Sequence, residues 1–216
     1  LYQRVDRPNL MLKVPATEAG FIATEELLGE GMNVNVTLIF SLEQYELTAR
    51  AFLKGIKRSL DKGREARKVS SVASVFISRV DAMADKMIGT LIAQLKEKKE
   101  KDRLEALRGK AAVANTMLIF KRYSEIFSGK EFLSLRQRGV SAQRALWGST
   151  STKNPAYSDI KYVSDLIGKN TVNTMPEETF RAFLDHGVVR EALTADAADG
   201  LAIVKDLRKS GINIDS

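Results

Sequence analysis

The chain has no cysteine, a single histidine, a single tryptophan and only four prolines among its 216 residues. Without cysteine there can be no disulfide frame and no thiolate metal site. The lone His186 leaves a histidine-based metal centre or a Ser-His triad little to build on, so no metal is expected. No apolar run approaches the ~18 residues that a membrane helix needs, and no membrane partner is expected. Zinc-knuckle spacing and basic aromatic ladders are lacking too, which sets nucleic acid aside as a partner although the formal charge is +7. Nor is there a solenoid repeat or a linker rich in proline, glycine or serine, so one domain is the natural count. The first residue is Leu1 rather than methionine, and the expectation is that a longer precursor, with any targeting peptide, has been cut back.

What is present is a 44% hydrophobic content, enough for a substantial core. Strand-like and helix-like segments alternate to the end. Residues 9–16 read as a strand, followed by a helix over Glu18 to Leu28 that stops at Gly29 and Gly31. Asn33 to Phe40 is a second strand and Leu42 to Leu60 a helix whose Leu42, Tyr45, Leu47, Ala49, Phe52 and Leu53 form an apolar stripe. Ser71 to Ile77 is a third strand, and helix is expected over Ala82 to Leu95 and Arg103 to Phe127, broken around the charged run Lys96 to Arg103. Ala145 to Ser149 is a fourth strand, Ser158 to Ile167 a helix, Thr171 to Met175 a fifth strand, and Glu177 to Leu184 and Ala195 to Lys209 close the chain as helices. Strands separated by helices of these lengths imply parallel β-α-β units.

Within that frame Lys13 is the residue to explain, because Leu10 to Ala16 otherwise reads as a fully buried strand. Desolvation by apolar neighbours disfavours an ammonium and makes a nucleophilic amine, suited to Schiff-base chemistry on a ketone. The alternative is a strand-end lysine reaching to water along its own stem. The other strands also spend residues on polarity. Asn33, Asn35 and Thr37 alternate with Val34, Val36 and Leu38, so amides and hydroxyl share one face and apolar side chains the other. Ser74, Phe76 and Ser78 share a face of the third strand, and the fourth runs into the hydroxyl cluster Gly148 to Thr152, ended by Lys153. Buried polar atoms without partners cost about 1–3 kcal/mol each, so several such faces argue for a shared polar cavity. In an α/β barrel that cavity lies at the carboxyl ends of the strands, near which Lys13, Thr37, Arg79 and Lys153 all fall. His186, before Gly187 at a helix end, reads as a helix-dipole contact rather than a base, and Trp147 as core.

Five segments taken in order resemble the transaldolase family: Lys13-Val-Pro-Ala-Thr17, Asn33 to Tyr45, Val72 to Asp81, Leu146 to Tyr157, and Val172-Asn-Thr-Met-Pro176. The resemblance is to the plant and bacterial branch and covers nearly the whole chain; Gly109 to Asn115 and Phe183 to Gly187 resemble structural segments of the same family. It implies an α/β fold, the eight-stranded TIM barrel of class I aldolase type, with this chain as its carboxyl-terminal part and only strands four to eight present. The resemblance also implies roles. Lys13 matches the Schiff-base lysine, Asn35 and Thr37 the residues that orient the dihydroxyacetone unit and a catalytic water, Ser74 and Phe76 substrate contacts, and Arg79 a phosphate-binding arginine. Ser151 resembles a phosphate-binding serine, and Lys153 stands where many members have arginine, keeping the charge but not the bidentate fork. The implied activity moves a dihydroxyacetone unit from sedoheptulose 7-phosphate or fructose 6-phosphate to glyceraldehyde 3-phosphate or erythrose 4-phosphate, in the pentose phosphate pathway, without cofactor. Sugar phosphates are the implied partners, and the cytoplasm, or a plastid, the implied compartment. The three absent βα units would carry a proton-shuttling aspartate, an asparagine and a glutamate, supplied by a longer polypeptide or by a second one that completes the barrel. A fructose-6-phosphate aldolase and a non-catalytic interaction protein descended from transaldolase are the competing readings.

Overall fold

A computed structural model describes residues 2–214. Its sheet has five strands, β1 (Leu12–Pro15), β2 (Val34–Ile39), β3 (Ser71–Phe76), β4 (Arg144–Gly148) and β5 (Val172–Asn173), in the order β1-β2-β3-β4-β5. β1 pairs with β2 and β2 with β3 in parallel. Sequential parallel order with helical crossovers is that of a (β/α) barrel wall; a doubly wound sheet reverses its order at a switch point. The helices are α1 (Tyr2–Val5), α2 (Glu18–Gly29), α3 (Leu42–Asp61), α4 (Ser78–Gln94), α5 (Lys98–Glu105), α6 (Ala111–Ser128), α7 (Lys130–Gln137), α8 (Lys161–Ser164), α9 (Glu177–His186) and α10 (Ala198–Lys209), with a short 3-10 turn at Ala66–Lys68.

The chain divides into two compact units. The first takes the chain up to Ile39 with Glu43–Val75 and Arg122–Leu146; the second takes Phe40–Leu42, Phe76–Lys121 and everything from Trp147 on. In the first unit α2 packs against β1 and β2, and Val14, Val34, Val36 and Ile39 are buried with Tyr45, Ala49, Phe52 and Ile56 of α3. Phe52, Tyr123 and Phe132 surround Phe127, with ring centroids 4.9–5.9 Å apart. In the second unit Trp147 is fully buried, its indole N–H donating to the Leu166 carbonyl at 3.0 Å.

Several expectations change. The run Leu10 to Ala16 is not buried throughout: only Val14 and Ala16 are, and Lys13 is exposed. β1 pairs along one edge, with β2, and the face opposite Val14 carries Lys13 and Pro15 into solvent. The alternation of β2 breaks at its end. Val36 pairs with Ala73 but Ile39 with Val75, so three steps on β2 meet two on β3. The extra residue, Leu38, takes a left-handed φ of 60° and is exposed at 39%, whereas strict alternation would bury it with the valines. Helix α4 begins at Ser78 and not at Ala82, which puts Arg79 and Asp81 on a helix. No side chain caps it; instead the Ile77 and Ser78 N–H groups donate to the Gly148 and Ser149 carbonyls, both at 3.0 Å, so the unpaired donors of its first turn are met by the end of β4. The charged run, expected as an interruption, is largely helix α5, solvated apart from Leu104, and the true breaks flank it. The helix expected over Ser158 to Ile167 shrinks to α8, and α7 was not expected.

Candidate active site

In the first unit the parallel register sets Lys13 beside Asn35 and Pro15 beside Thr37. Neighbours in register project from the same side of a sheet, so the lysine and the amide share a face, away from Val14 and Val36. Ser74 Oγ donates to Asn35 Oδ1 at 2.7 Å, which fixes the carbonyl end of that amide. Thr37 is 6% exposed, and its Oγ1 is buried without a hydrogen-bond partner. A buried hydroxyl left unpaired carries a desolvation cost of about 1–3 kcal/mol, which a bound polar group or a water would remove. Lys13, Asn35, Thr37 and Ser74 thus form one polar patch on three adjacent strands. Just beyond β1, Thr17 caps α2, its Oγ1 accepting from the Gly20 N–H at 3.2 Å. The dry setting expected for Lys13 from its apolar neighbours is absent: strand alternation sends those neighbours to the other face.

The second unit carries Phe76, Arg79, Ser151 and Lys153. The Arg79 guanidinium stacks 5.1 Å from the centroid of Phe76, which itself meets Phe40 edge-on at 5.7 Å. Stacking orients the guanidinium while leaving its edge free for an anion. Among the described residues neither Arg79 nor Lys153 has an ion-pair partner, and both are exposed. Ser151 is buried at 8%. Ser149 takes a φ of 55° and its Oγ lies 3.0 Å from Ser78 Oγ, so the loop leaves β4 in a left-handed step pinned to α4. Beside it the Thr150 hydroxyl is shared between Asn173 Oδ1 at 2.8 Å and the Thr174 carbonyl at 2.9 Å, which spends Asn173 on structure.

Lys153 also borders a cavity of about 140 Å³ with Ser78, Asp81, Ala82, Asp85, Asn154, Tyr157 and Tyr162. Asp81 is 1% exposed; burial pushes its carboxyl above the usual range, against the opposing bonds from the Ala112 N–H and the Tyr162 hydroxyl. Burial, and then the carboxylate partners, push the Tyr157 and Tyr162 hydroxyls well above ordinary phenols, so both remain donors. Sequence reasoning gave Asp81, Asp85, Tyr157 and Tyr162 no role. A signal existed in the spacing of Ser78, Asp81 and Asp85 at i, i+3 and i+7, but it becomes visible only when α4 starts at Ser78. His186 is exposed at the last residue of α9, bridged to Asp159 and Asp185, and those bonds, Asp159 first, raise its pKa. Among the described residues no group of three or more His, Asp or Glu could hold a metal ion, and no helix is long and apolar enough to cross a membrane.

Parallel strands in chain order with helical crossovers, bearing a lysine, an amide and hydroxyls on one strand face, define an α/β protein consistent with part of a TIM-barrel-type aldolase fold. The chain belongs to the transaldolase/fructose-6-phosphate aldolase family, whose pattern it matches over residues 1–216. It is 44% identical over 216 residues to the transaldolase of Mycolicibacterium paratuberculosis, covering 99% of this chain and 56% of that protein. Identity is 41% over 213 residues to the transaldolase of Trichodesmium erythraeum, with 99% and 56% covered. To transaldolase 2 of Streptomyces coelicolor it is 45% over 212 residues, with 98% and 55% covered. The chain therefore spans a little over half the length of these relatives.

Proposed function

We propose that this chain is the carboxyl-terminal part of a transaldolase barrel and carries its Schiff-base lysine. The observation that carries the reading is the patch in which Lys13 sits in register with Asn35, the amide is fixed by Ser74, and the Thr37 hydroxyl is left unpartnered. The Lys13 amine attacks C2 of a ketose phosphate, forming a C–N bond and losing water to give an imine. Protonated, that imine accepts the electron pair of the C3–C4 bond as it breaks, while a base takes the C4 hydroxyl proton. An aldose phosphate leaves, an enamine remains on Lys13, and a second aldose phosphate is attacked at its aldehyde carbon. Water then hydrolyses the new imine and regenerates the amine. Asn35 and Ser74 orient the dihydroxyacetone unit, Phe76 lies beside it, and Thr37 holds the water. Arg79, Lys153 and Ser151 take the phosphates, as fixed cations and a hydroxyl do for developing or standing negative charge.

The base, and the cover that dries Lys13, are proposed to come from the remaining length that the relatives have, in the same polypeptide or in a second one. The donors are fructose 6-phosphate and sedoheptulose 7-phosphate and the acceptors glyceraldehyde 3-phosphate and erythrose 4-phosphate, as in the pentose phosphate pathway, in the cytoplasm or a plastid. The family description pairs transaldolase with fructose-6-phosphate aldolase, which shares the lysine chemistry but releases free dihydroxyacetone. The deciding experiment is borohydride reduction of the full-length protein with fructose 6-phosphate. A stable adduct on Lys13, lost in Lys13→Ala, is expected, with turnover that depends on an aldose acceptor. Turnover without acceptor assigns the aldolase reaction instead, and no adduct at all assigns a non-catalytic interaction protein.

A further inference from the structure

Asp81 and Asp85 lie one turn apart on α4, and each carboxylate joins a tyrosine to the approach of α6. Tyr162 Oη donates to Asp81 Oδ2 at 2.7 Å while the Ala112 N–H donates to Oδ1 at 2.7 Å. Tyr157 Oη donates to Asp85 Oδ2 at 2.6 Å while the Gly109 N–H donates to Oδ1 at 2.9 Å. Gly109 has a φ of +65°, and a Cβ there would lie 2.7 Å from Tyr157 Cζ, so the ring packs directly on the bare backbone. With Ser78 these carboxylates make a column of ties up one face of α4.

The column holds a segment, residues 149–160, that contains neither helix nor strand and is otherwise ordered by local bonds, such as that from Thr152 Oγ1 to the Ser158 carbonyl at 2.8 Å. Ser149 is tied to the first turn of α4 through Ser78, and Tyr157 is tied two turns further along through Asp85. Lys153 lies between those anchors, exposed, and borders the same cavity as Tyr157 and Asp85. A lysine is a point charge on a flexible stem, so the position of its ammonium is set by its backbone more than by its own geometry.

We propose that Tyr157 and Asp85 are positioning residues that place Lys153 for a substrate phosphate. The proposal rests on the reading of Lys153 as a phosphate contact. With the tie made, the loop meets the phosphate already ordered; without it, binding must supply the ordering. Bond breaking occurs at the Lys13 imine, so loss of the tie falls on phosphate binding and spares the covalent step.

The test is Tyr157→Phe in the full-length protein, assayed with glyceraldehyde 3-phosphate and with unphosphorylated glyceraldehyde as acceptors. Expected is a rise of about fivefold to tenfold in KM for the phosphorylated acceptor, with kcat, the Lys13 adduct trapped at saturating fructose 6-phosphate and the KM for glyceraldehyde unchanged. Asp85→Ala should give the same rise. Asp85→Asn should recover, because its carbonyl accepts from Gly109 and its amide donates to the tyrosine oxygen. Equal changes with both acceptors, no change with either, or the same KM in Asp85→Ala and Asp85→Asn overturns the positioning role alone. A wild-type protein that traps no adduct, or a Lys153→Ala variant with unchanged KM, overturns the parent reading and this role with it. If Tyr157→Phe does not fold, the Asp85 pair reads the same tie.

Discussion

Among the described residues Lys13, Arg79 and Lys153 are cations without carboxylate partners, whereas Arg122 pairs with Glu46 and Glu125, and Glu30 pairs with Lys62 and Arg64. Cations left unpaired suit anions, as proposed for Arg79 and Lys153 with a substrate phosphate. Lys153 offers one point of charge where an arginine would offer a planar fork. Lys153→Arg should therefore lower the KM for phosphorylated substrates about threefold to tenfold with little change in kcat, as steady-state kinetics of the full-length protein would show. Asp81 makes a different demand. Its folded pKa is raised, chiefly by burial, so the folded state holds its proton where the unfolded state has lost it. The stabilisation is full below the ordinary carboxylate value of about 4 and is lost as pH rises through the raised folded value. Thermal midpoints across that window should fall with rising pH in the native protein and stay flatter in Asp81→Asn, which keeps the bonds to Ala112 and Tyr162. Parallel curves for the two proteins would refute this. His186 has its pKa raised by Asp159 and Asp185 and adds the same sign near neutrality, but it is fully exposed and its share is small.

At the scale of elements, the turn from β1 into α2 is tightly built. Thr17 has an extended backbone and caps the helix, and Gly20 in the first turn comes so close that a Cβ would lie 1.9 Å from the Pro15 carbonyl oxygen. Thr17→Ala should cost about 1 kcal/mol through loss of the cap. Gly20→Ala should cost more, about 1–3 kcal/mol, because helix and strand must separate. Urea denaturation measures both, and a neutral Gly20→Ala would show that the β1–α2 approach is not tight. The end of β2 behaves differently. Its bulge puts Leu38 in a conformation that costs a non-glycine residue about 1–2 kcal/mol, next to the unpartnered Thr37. Bulges gather at the ends of strands where a side chain must be re-aimed, which is what the polar patch requires. α4 supplies the third device. Its first turn is capped by carbonyls from the end of β4, so the helix bearing Arg79 and the loop bearing Lys153 are joined at their roots.

For the whole molecule, the span of this chain beside relatives of nearly twice its length gives the exposure of Lys13 its meaning. The imine-forming role proposed for Lys13 needs a dry neighbourhood, yet β1 presents Lys13 to solvent on the face away from Val14. The proposed barrel closes over that face with the remaining βα units. Brief acetylation of the full-length protein should then leave Lys13 largely unmodified while Lys54, on the outer surface of α3, reacts. Equal labelling of the two, read by peptide mass spectrometry, would remove the proposed cover. The formal charge of +7 acts at the same scale. Raising salt should raise the KM for sugar phosphates while leaving kcat nearly constant, since screening weakens anion capture and not the imine chemistry.

Much of the architecture was legible from residue order. Period-two strands and helices of crossover length set the parallel α/β fold, and the valines of β2 marked its helix-covered face. The motifs around Lys13, Asn35, Ser74, Arg79 and Lys153 pointed to the family because local spacing is what a motif records. Other features depended on contacts between distant residues. The bulge at Leu38, the early start of α4 and the ties from Asp81 to Tyr162 and Asp85 to Tyr157, 81 and 72 residues apart, have no local signature. Periodicity says which face a side chain takes and is silent on what packs over that face. The exposure of Lys13 was therefore something that only the tertiary structure could decide.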